Sequence, residues 1–151
     1  MSAPLADVVR RLETVLSAEE RLYLRLREVL RLSNAECARI EAAFDGWWRL
    51  RPEAGEAALK EAIYRLGPAT FADRMKIAWV QTRQTRPEQD WLDALRLAGT
   101  WQAPKFPLSG KDLIAQGARP GPDIGEQLGK LETCWIESGF ALSREELLAM
   151  R

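Results

Sequence analysis

Residues 33–51 read Ser33-Asn-Ala-Glu36-Cys-Ala-Arg-Ile40-Glu-Ala-Ala-Phe44-Asp-Gly-Trp47-Trp48-Arg-Leu-Arg51, and the period of this stretch decides the fold. Ser33 and Glu36 form an S-x-x-E capping box, in which each side chain satisfies an amide that a helix N-terminus leaves without an acceptor. Behind the box, Cys37, Ile40, Phe44 and Trp47 return every three or four residues, the period of one helix face, with Trp48 beside them. The spacing predicts a helix running to about Arg51, after which Pro52 is suited to the first turn of the next segment. The Trp47-Trp48 pair reads as core plus rim rather than as a base-stacking platform.

The same pattern extends outward in both directions. Residues 5–16 form a predicted amphipathic helix with Val8, Val9, Leu12, Val15 and Leu16 near one face, and Ser17 with Glu20 opens a second helix carrying Leu22, Leu26, Val29 and Leu30. Residues 52–66 make a helix closed by Gly67. Pro68 starts another, with Phe71, Met75 and Trp79 at i, i+4, i+8, and Pro87 opens a shorter one through about Leu97. No stretch alternates in the manner of a β-strand, so the fold class is all-α. Gly99, Pro104, Pro107 and Gly110 then break the period. They divide a multi-helix body, residues 1–98, from a small C-terminal tail unit, residues 99–151. The tail unit reads as a short helix from Gly110 to Gln116, a turn from Gly117 to Pro122, a helix to about Ser138, and a last helix opened by the capping box Ser143 and Glu146.

Composition narrows the chemistry. The chain has 151 residues, 46% apolar and 29% charged, enough for a core and too apolar for general disorder. It contains no histidine, which excludes His-based nucleophile triads, His general bases and His-containing metal sites. Cys37 and Cys134 are too far apart for a CxxC pair and too few for a four-cysteine zinc site, and they read as small buried residues. Twenty-two basic residues balance twenty-two acidic ones, so an anion-binding surface has to be a local patch. No apolar run reaches the ~18 residues that span a bilayer and there is no signal-peptide core, so the expectation is a soluble, cytoplasmic protein with no membrane partner.

Two local patches stand out. The turn Gly117-Ala-Arg-Pro-Gly-Pro-Asp-Ile-Gly125 resembles a helix-hairpin-helix turn: Gly117 suits the left-handed position after a helix, and Pro120 and Pro122 stiffen the approach to the next N-terminus, whose amides attract phosphate. Gly121, Gly125 and Gly129 follow at i, i+4, i+8. Glycine inside a helix costs ~1 kcal/mol relative to alanine, so the strip serves either close packing by another helix or close approach of a sugar-phosphate backbone. Just before the turn, Lys105 and Lys111 bracket a loop in which Ser109 can cap the helix beginning at Gly110; with Arg119 they make a positive cluster opposed locally by Asp112. The second patch is Arg74, Lys76, Arg83 and Arg86. Lys76 and Arg83, at i, i+7, share a face beside Trp79 and can either follow an RNA backbone or rim a buried aromatic. Asp90 and Asp93 are acids expected in a first helical turn, not a catalytic pair.

Three stretches together resemble a known family. Leu30-Arg-Leu-Ser-Asn-Ala-Glu36, Phe106-Pro-Leu-Ser-Gly-Lys-Asp-Leu113 and Gly117-Ala-Arg-Pro-Gly-Pro-Asp-Ile-Gly-Glu-Gln-Leu128 resemble the C-terminal half of a bacterial CCA-adding tRNA nucleotidyltransferase of the poly(A) polymerase family. The likeness runs from about residue 20 onward, and the G-K-D-L to P-G-P-x-I-G run is its most specific part. In that family a catalytic head carries a Gly-Ser motif and a metal-binding Asp-x-Asp, a neck selects CTP and ATP, and a helical body and tail hold the tRNA. This sequence has neither a Gly-Ser dipeptide nor an Asp-x-Asp. The resemblance therefore implies an RNA-holding region with tRNA as partner, no catalytic or metal-binding residues of its own, and magnesium, CTP and ATP bound by a head and neck of the same polypeptide. It also implies a backbone-binding role for the residues of these motifs, Ser109, Gly110, Lys111, Arg119, Gly121 and Gly125; Lys105 joins them through the same positive cluster, and Lys76 and Arg83 are candidates for a second contact by their own spacing. The alternative from a different class is an all-α protein-interaction module in which the glycine strip seats a partner's helix.

Overall fold

The computed structural model describes residues 25, 29–82 and 88–150. The predicted helix over 5–16, the Ser17–Glu20 box with Leu22 and Leu26, and Arg83, Arg86 and Pro87 lie outside the described residues; Val29 and Leu30, expected on the apolar stripe of the second helix, are described and exposed. Seven α-helices are delimited among the described residues, with no strand, so the chain is all-α.

The chain divides into two compact units, Met1–Asp45 and Gly46–Arg151. In the first, α1 (Asn34–Phe44) is opened by the capping box: the Glu36 amide donates to Ser33 Oγ at 3.3 Å and the Ser33 amide to Glu36 Oε2 at 2.8 Å. Hydrogen bonding to the serine holds the Glu36 carboxyl below its usual range. Cys37 and Ala43 are buried. The helix ends at Phe44, well short of the expected Arg51. Gly46 takes φ +72°, and a Cβ there would stand 3.1 Å from Arg74 Nη1, so the backbone turns where a helix would continue. Burial does not follow the apolar period across this break: Phe44, expected on the inward face, is 54% exposed at the helix end, while Trp47, in a single 3₁₀ turn over Trp47–Arg49, packs on the core of the second unit.

The second unit begins with that turn and a second 3₁₀ turn at Pro52–Ala54, which occupies the start of the helix expected from residue 52; α2 itself spans Glu56–Leu66. Gly67 closes α2 through its amide to Ile63 O (2.8 Å), and its carbonyl accepts from Phe71 in α3 (Pro68–Gln81) at 3.0 Å. The following helix, α4, runs Glu88–Thr100, a turn longer than its predicted end at Leu97. These three helices pack on one another around Ile63, Phe71, Met75, Ala78, Trp91 and Ala94. Phe71 and Met75 are fully buried, as their i, i+4 spacing predicts, and full burial of such side chains stabilises by roughly 1.5–3 kcal/mol each. The third member, Trp79, stacks on Trp91 with ring centroids 6.0 Å apart and planes at 1°.

A second apolar cluster joins α5 (Gly110–Ala115), α6 (Asp123–Glu137) and α7 (Arg144–Ala149) through Leu108, Leu113, Leu131, Trp135, Ile136 and Leu147. All three elements fall where the sequence puts them, and Ser143 with Glu146 forms the expected box on α7. Tyr64 of α2 belongs to this cluster rather than the first: its ring meets Trp135 and Phe140, and its hydroxyl donates to Glu132 Oε1 at 2.5 Å. Burial and the Glu132 carboxylate push the Tyr64 hydroxyl up to about 12. Trp101 adds a further link through Phe140, at 5.3 Å. The two clusters are thus tied by aromatic contacts.

Candidate nucleic-acid interface

The site is built from the end of one short helix and the start of a longer one. Ser109 caps α5: its amide and hydroxyl both donate to Asp112 Oδ2, at 2.7 and 2.6 Å. The other carboxylate oxygen, Asp112 Oδ1, accepts from Arg144 Nη2 at 2.6 Å. Hydrogen bonds from Ser109 and then Arg144 lower the Asp112 pKa to about 2, so this acid is ionised and already compensated. Lys111, next to it, is exposed and makes no ion pair with any described residue.

At its other end α5 closes as the glycine at 117 predicts. The Gly117 amide donates to Ile114 O at 2.9 Å and the Ala118 amide to Leu113 O at 3.0 Å, the paired bonds of a Schellman motif, with Gly117 at φ +89°. Ala118 and Leu113 are both buried beneath it, which fixes the direction in which the chain leaves toward Pro120 and Pro122. The approach of α5 to α6 is set by Gly110, where a Cβ would lie 3.3 Å from Ile124 Cγ2. Close packing is therefore the role of Gly110.

Between these points lies an open cleft of about 900 Å³ lined by Ser109, Gly110, Lys111, Ile114, Pro120, Gly121, Pro122, Ile124 and Gly125. Five of the sequence-derived candidates are brought together: Ser109, Gly110, Lys111, Gly121 and Gly125. Arg119 is exposed one residue before the lining and Lys105 is exposed in the loop before α5; neither has an ion-pair partner among the described residues. Lys76 stands apart on α3, in a 3.8 Å contact with Asp73, and Arg83 lies outside the described residues. A Cβ at Gly121, Gly125 or Gly129 would meet nothing within 4 Å. Packing by a neighbouring helix within the unit therefore does not account for the strip.

The start of α6 is only partly open. The Ile124 and Gly125 amides donate to Gly121 O (3.2 Å) and Pro122 O (3.0 Å), while those of Gly121 and Asp123 have no acceptor among the described residues. Asp123 and Glu126 occupy the first turn and complement the positive helix end themselves, so Asp112 is not the only acid beside the basic cluster. Sequence reasoning missed the apolar floor of the cleft, Ile114, Ile124, Pro120 and Pro122. Its available signal was Ile114, which breaks the inward pattern of α5 and is 43% exposed. Asp93 is absorbed locally, accepting from Gln89 and Arg96 at 2.8 and 2.7 Å, as a structural acid is expected to be. Among the described residues no group of three or more His, Cys, Asp or Glu is placed to hold a metal ion, and no described helix is long and apolar enough to cross a membrane.

Parts of this chain are similar to CCA-adding enzymes. Against the mitochondrial CCA tRNA nucleotidyltransferase 1 of Danio rerio the identity is 40% over 62 residues, covering 41% of this chain and 14% of that protein. Against the CCA-adding enzyme of Latilactobacillus sakei it is 29% over 86 residues, covering 57% of this chain and 22% of that protein. A 28 kDa protein of Rhodospirillum rubrum, from the petA 5′ region, is 35% identical over 81 residues, half of this chain and 31% of the relative. The chain thus spans less than a third of the length of these curated relatives. No family model matches it, and no solved structure does.

Proposed function

We propose that this chain is a tRNA-holding region of a CCA-adding nucleotidyltransferase, the C-terminal body and tail of a protein of bacterial type, working in the cytoplasm. The observation that carries the reading is the α5–α6 cleft: on its wall a lysine with no ion pair among the described residues, side-chain-free glycines along its edge, and room for a strand to approach. Lys111, with Lys105 and Arg119 outside the cleft, neutralises phosphates. Gly121 and Gly125 let the sugar-phosphate chain come close, and the Gly121 and Asp123 amides supply donors at a turn of helix-hairpin-helix type. Ser109 and Gly110 act by setting the position and approach of α5, and Lys76 with Arg83 forms a second, separate contact. Such contacts carry no base information, which suits a protein that accepts every tRNA. Nucleotide transfer belongs to a head and neck of the same polypeptide, where magnesium, CTP and ATP bind.

A specific observation favours a second reading. Ile114, Ile124, Pro120 and Pro122 give the cleft an apolar floor, and an apolar floor also suits a protein partner. A salt titration with tRNA separates the two. If about three phosphates are neutralised, log K falls against log salt with a slope of roughly −2 to −3. Binding that ignores salt, or none at low salt, favours the protein-docking reading.

A further inference from the structure

The cleft does not use the first 3₁₀ turn or the two residues that join it to the second. There Trp47 is packed on the core while Trp48, edge-to-face with it at 6.0 Å and 85°, is left 50% exposed. A tryptophan needs a reason to face water, because its ring carries one of the largest apolar surfaces of any side chain. Arg51 holds it there: Arg51 Nη1 donates to Trp48 O at 2.6 Å and to Leu50 O at 2.9 Å, which pins the backbone on either side of Arg49. Leu50 and Pro52 are buried under the same loop, so the ring is presented from a rigid base. Arg49 is exposed and has no carboxylate partner among the described residues, while Asp45 and Glu53 flank the segment at its two ends.

The geometry points to Trp48 as a stacking platform for an unpaired RNA base, with Arg49 taking the adjoining phosphate. The pair is core plus rim, as the sequence suggests, with Trp47 on the core and Trp48 at the rim, and the rim position is what leaves the Trp48 ring accessible. A flat ring beside the exposed Arg49 guanidinium matches a single-stranded nucleotide, whose base offers a π face and whose phosphate accepts a bidentate arginine. A duplex hides its base faces, so this surface and the α5–α6 cleft take different parts of one RNA. The inference rests on the chain being an RNA binder, and separate single-strand and duplex measurements let the two fail separately.

The full chain is titrated, at low salt, with a short labelled single-stranded RNA of mixed sequence and with a blunt RNA duplex, reading anisotropy. Trp48→Ala is expected to weaken single-strand binding by about fivefold to a hundredfold, the range for losing one base-aromatic stack. Trp48→Phe retains most of it, Arg49→Ala loses part of it, and duplex binding stays unchanged in all three. Lys111→Glu with Arg119→Glu shows the opposite pattern. A wild-type chain that does not bind the single strand, a Trp48→Ala chain that binds it normally, or equal loss of both RNAs with helicity intact overturns the assignment. A wild-type chain that binds the single strand through Trp48 but does not bind the duplex removes the cleft reading and leaves this one standing.

Discussion

Asp112 shows how one side chain serves two elements. It caps α5 through Ser109 and receives Arg144 from the start of α7, and these bonds lower its pKa from 3.8 to about 2. Because the folded carboxyl is the more acidic, folding favours the ionised form. The contribution is full above pH about 4 and is lost as pH falls through about 2. Melting followed from pH 5 down to 2 should therefore show a fall in stability that Asp112→Asn makes shallower. Part of the slope persists in that variant, since Glu36 and Glu146 are also held low by their cap serines. A slope identical to wild type would remove Asp112 from the acid response. The Ser109–Asp112 half of this arrangement is readable in the sequence because it is local, three residues apart. The Arg144 half is not, since a partner 32 residues away depends on how α5 and α7 pack, which no spacing encodes.

Among the elements, α6 carries the clearest departure from what packing alone requires. Its apolar stripe of Ile124, Leu128, Leu131 and Trp135 faces the second cluster, while Gly125 and Gly129 face open space. Neither has the positive φ that would demand glycine. Gly125→Ala and Gly129→Ala should each stabilise the chain, by about 0.5–1 kcal/mol, which at this size raises Tm by roughly 1–4 °C. Their effects on tRNA binding should differ: Gly125 lines the cleft and loses affinity, whereas Gly129, a turn further on, changes it little. Equal and unaltered binding in both would mean that nothing approaches the helix there. The existence of α5, α6 and α7 follows from caps and period, and so does the turn after Gly117. The end of α1 does not follow, because the apolar spacing of Cys37, Ile40, Phe44 and Trp47 carries no sign that the helix breaks at Gly46 and leaves Phe44 exposed. The openness of the glycine strip is equally invisible to sequence, since glycine at i, i+4 reads the same whether a neighbour fills the space or not.

In the second unit as a whole, Tyr64, Trp101 and Phe140 tie the two apolar clusters, so the cleft is carried on a supported platform. The sequence has no Asp-x-Asp, the metal-binding pair of the family it resembles, and on the proposed reading nucleotide transfer belongs to another part of the polypeptide. The chain alone, given tRNA ending before CCA with CTP, ATP and magnesium, should add no nucleotide; robust incorporation by pure protein would contradict the assignment of catalysis to another part of the polypeptide. Gripping of RNA by the cationic wall of the cleft is best tested by tRNA affinity after the double reversal Lys111→Glu with Arg119→Glu, compared with the same double reversal at Arg10 and Arg11 in the predicted N-terminal helix. The Lys111 and Arg119 variant should keep wild-type helicity and melt within about 0.5 kcal/mol of it, as exposed substitutions do. A large loss of tRNA affinity is expected for the Lys111 and Arg119 variant and little for the control; equal losses, or a loss confined to the control, would place the RNA elsewhere than on this cleft.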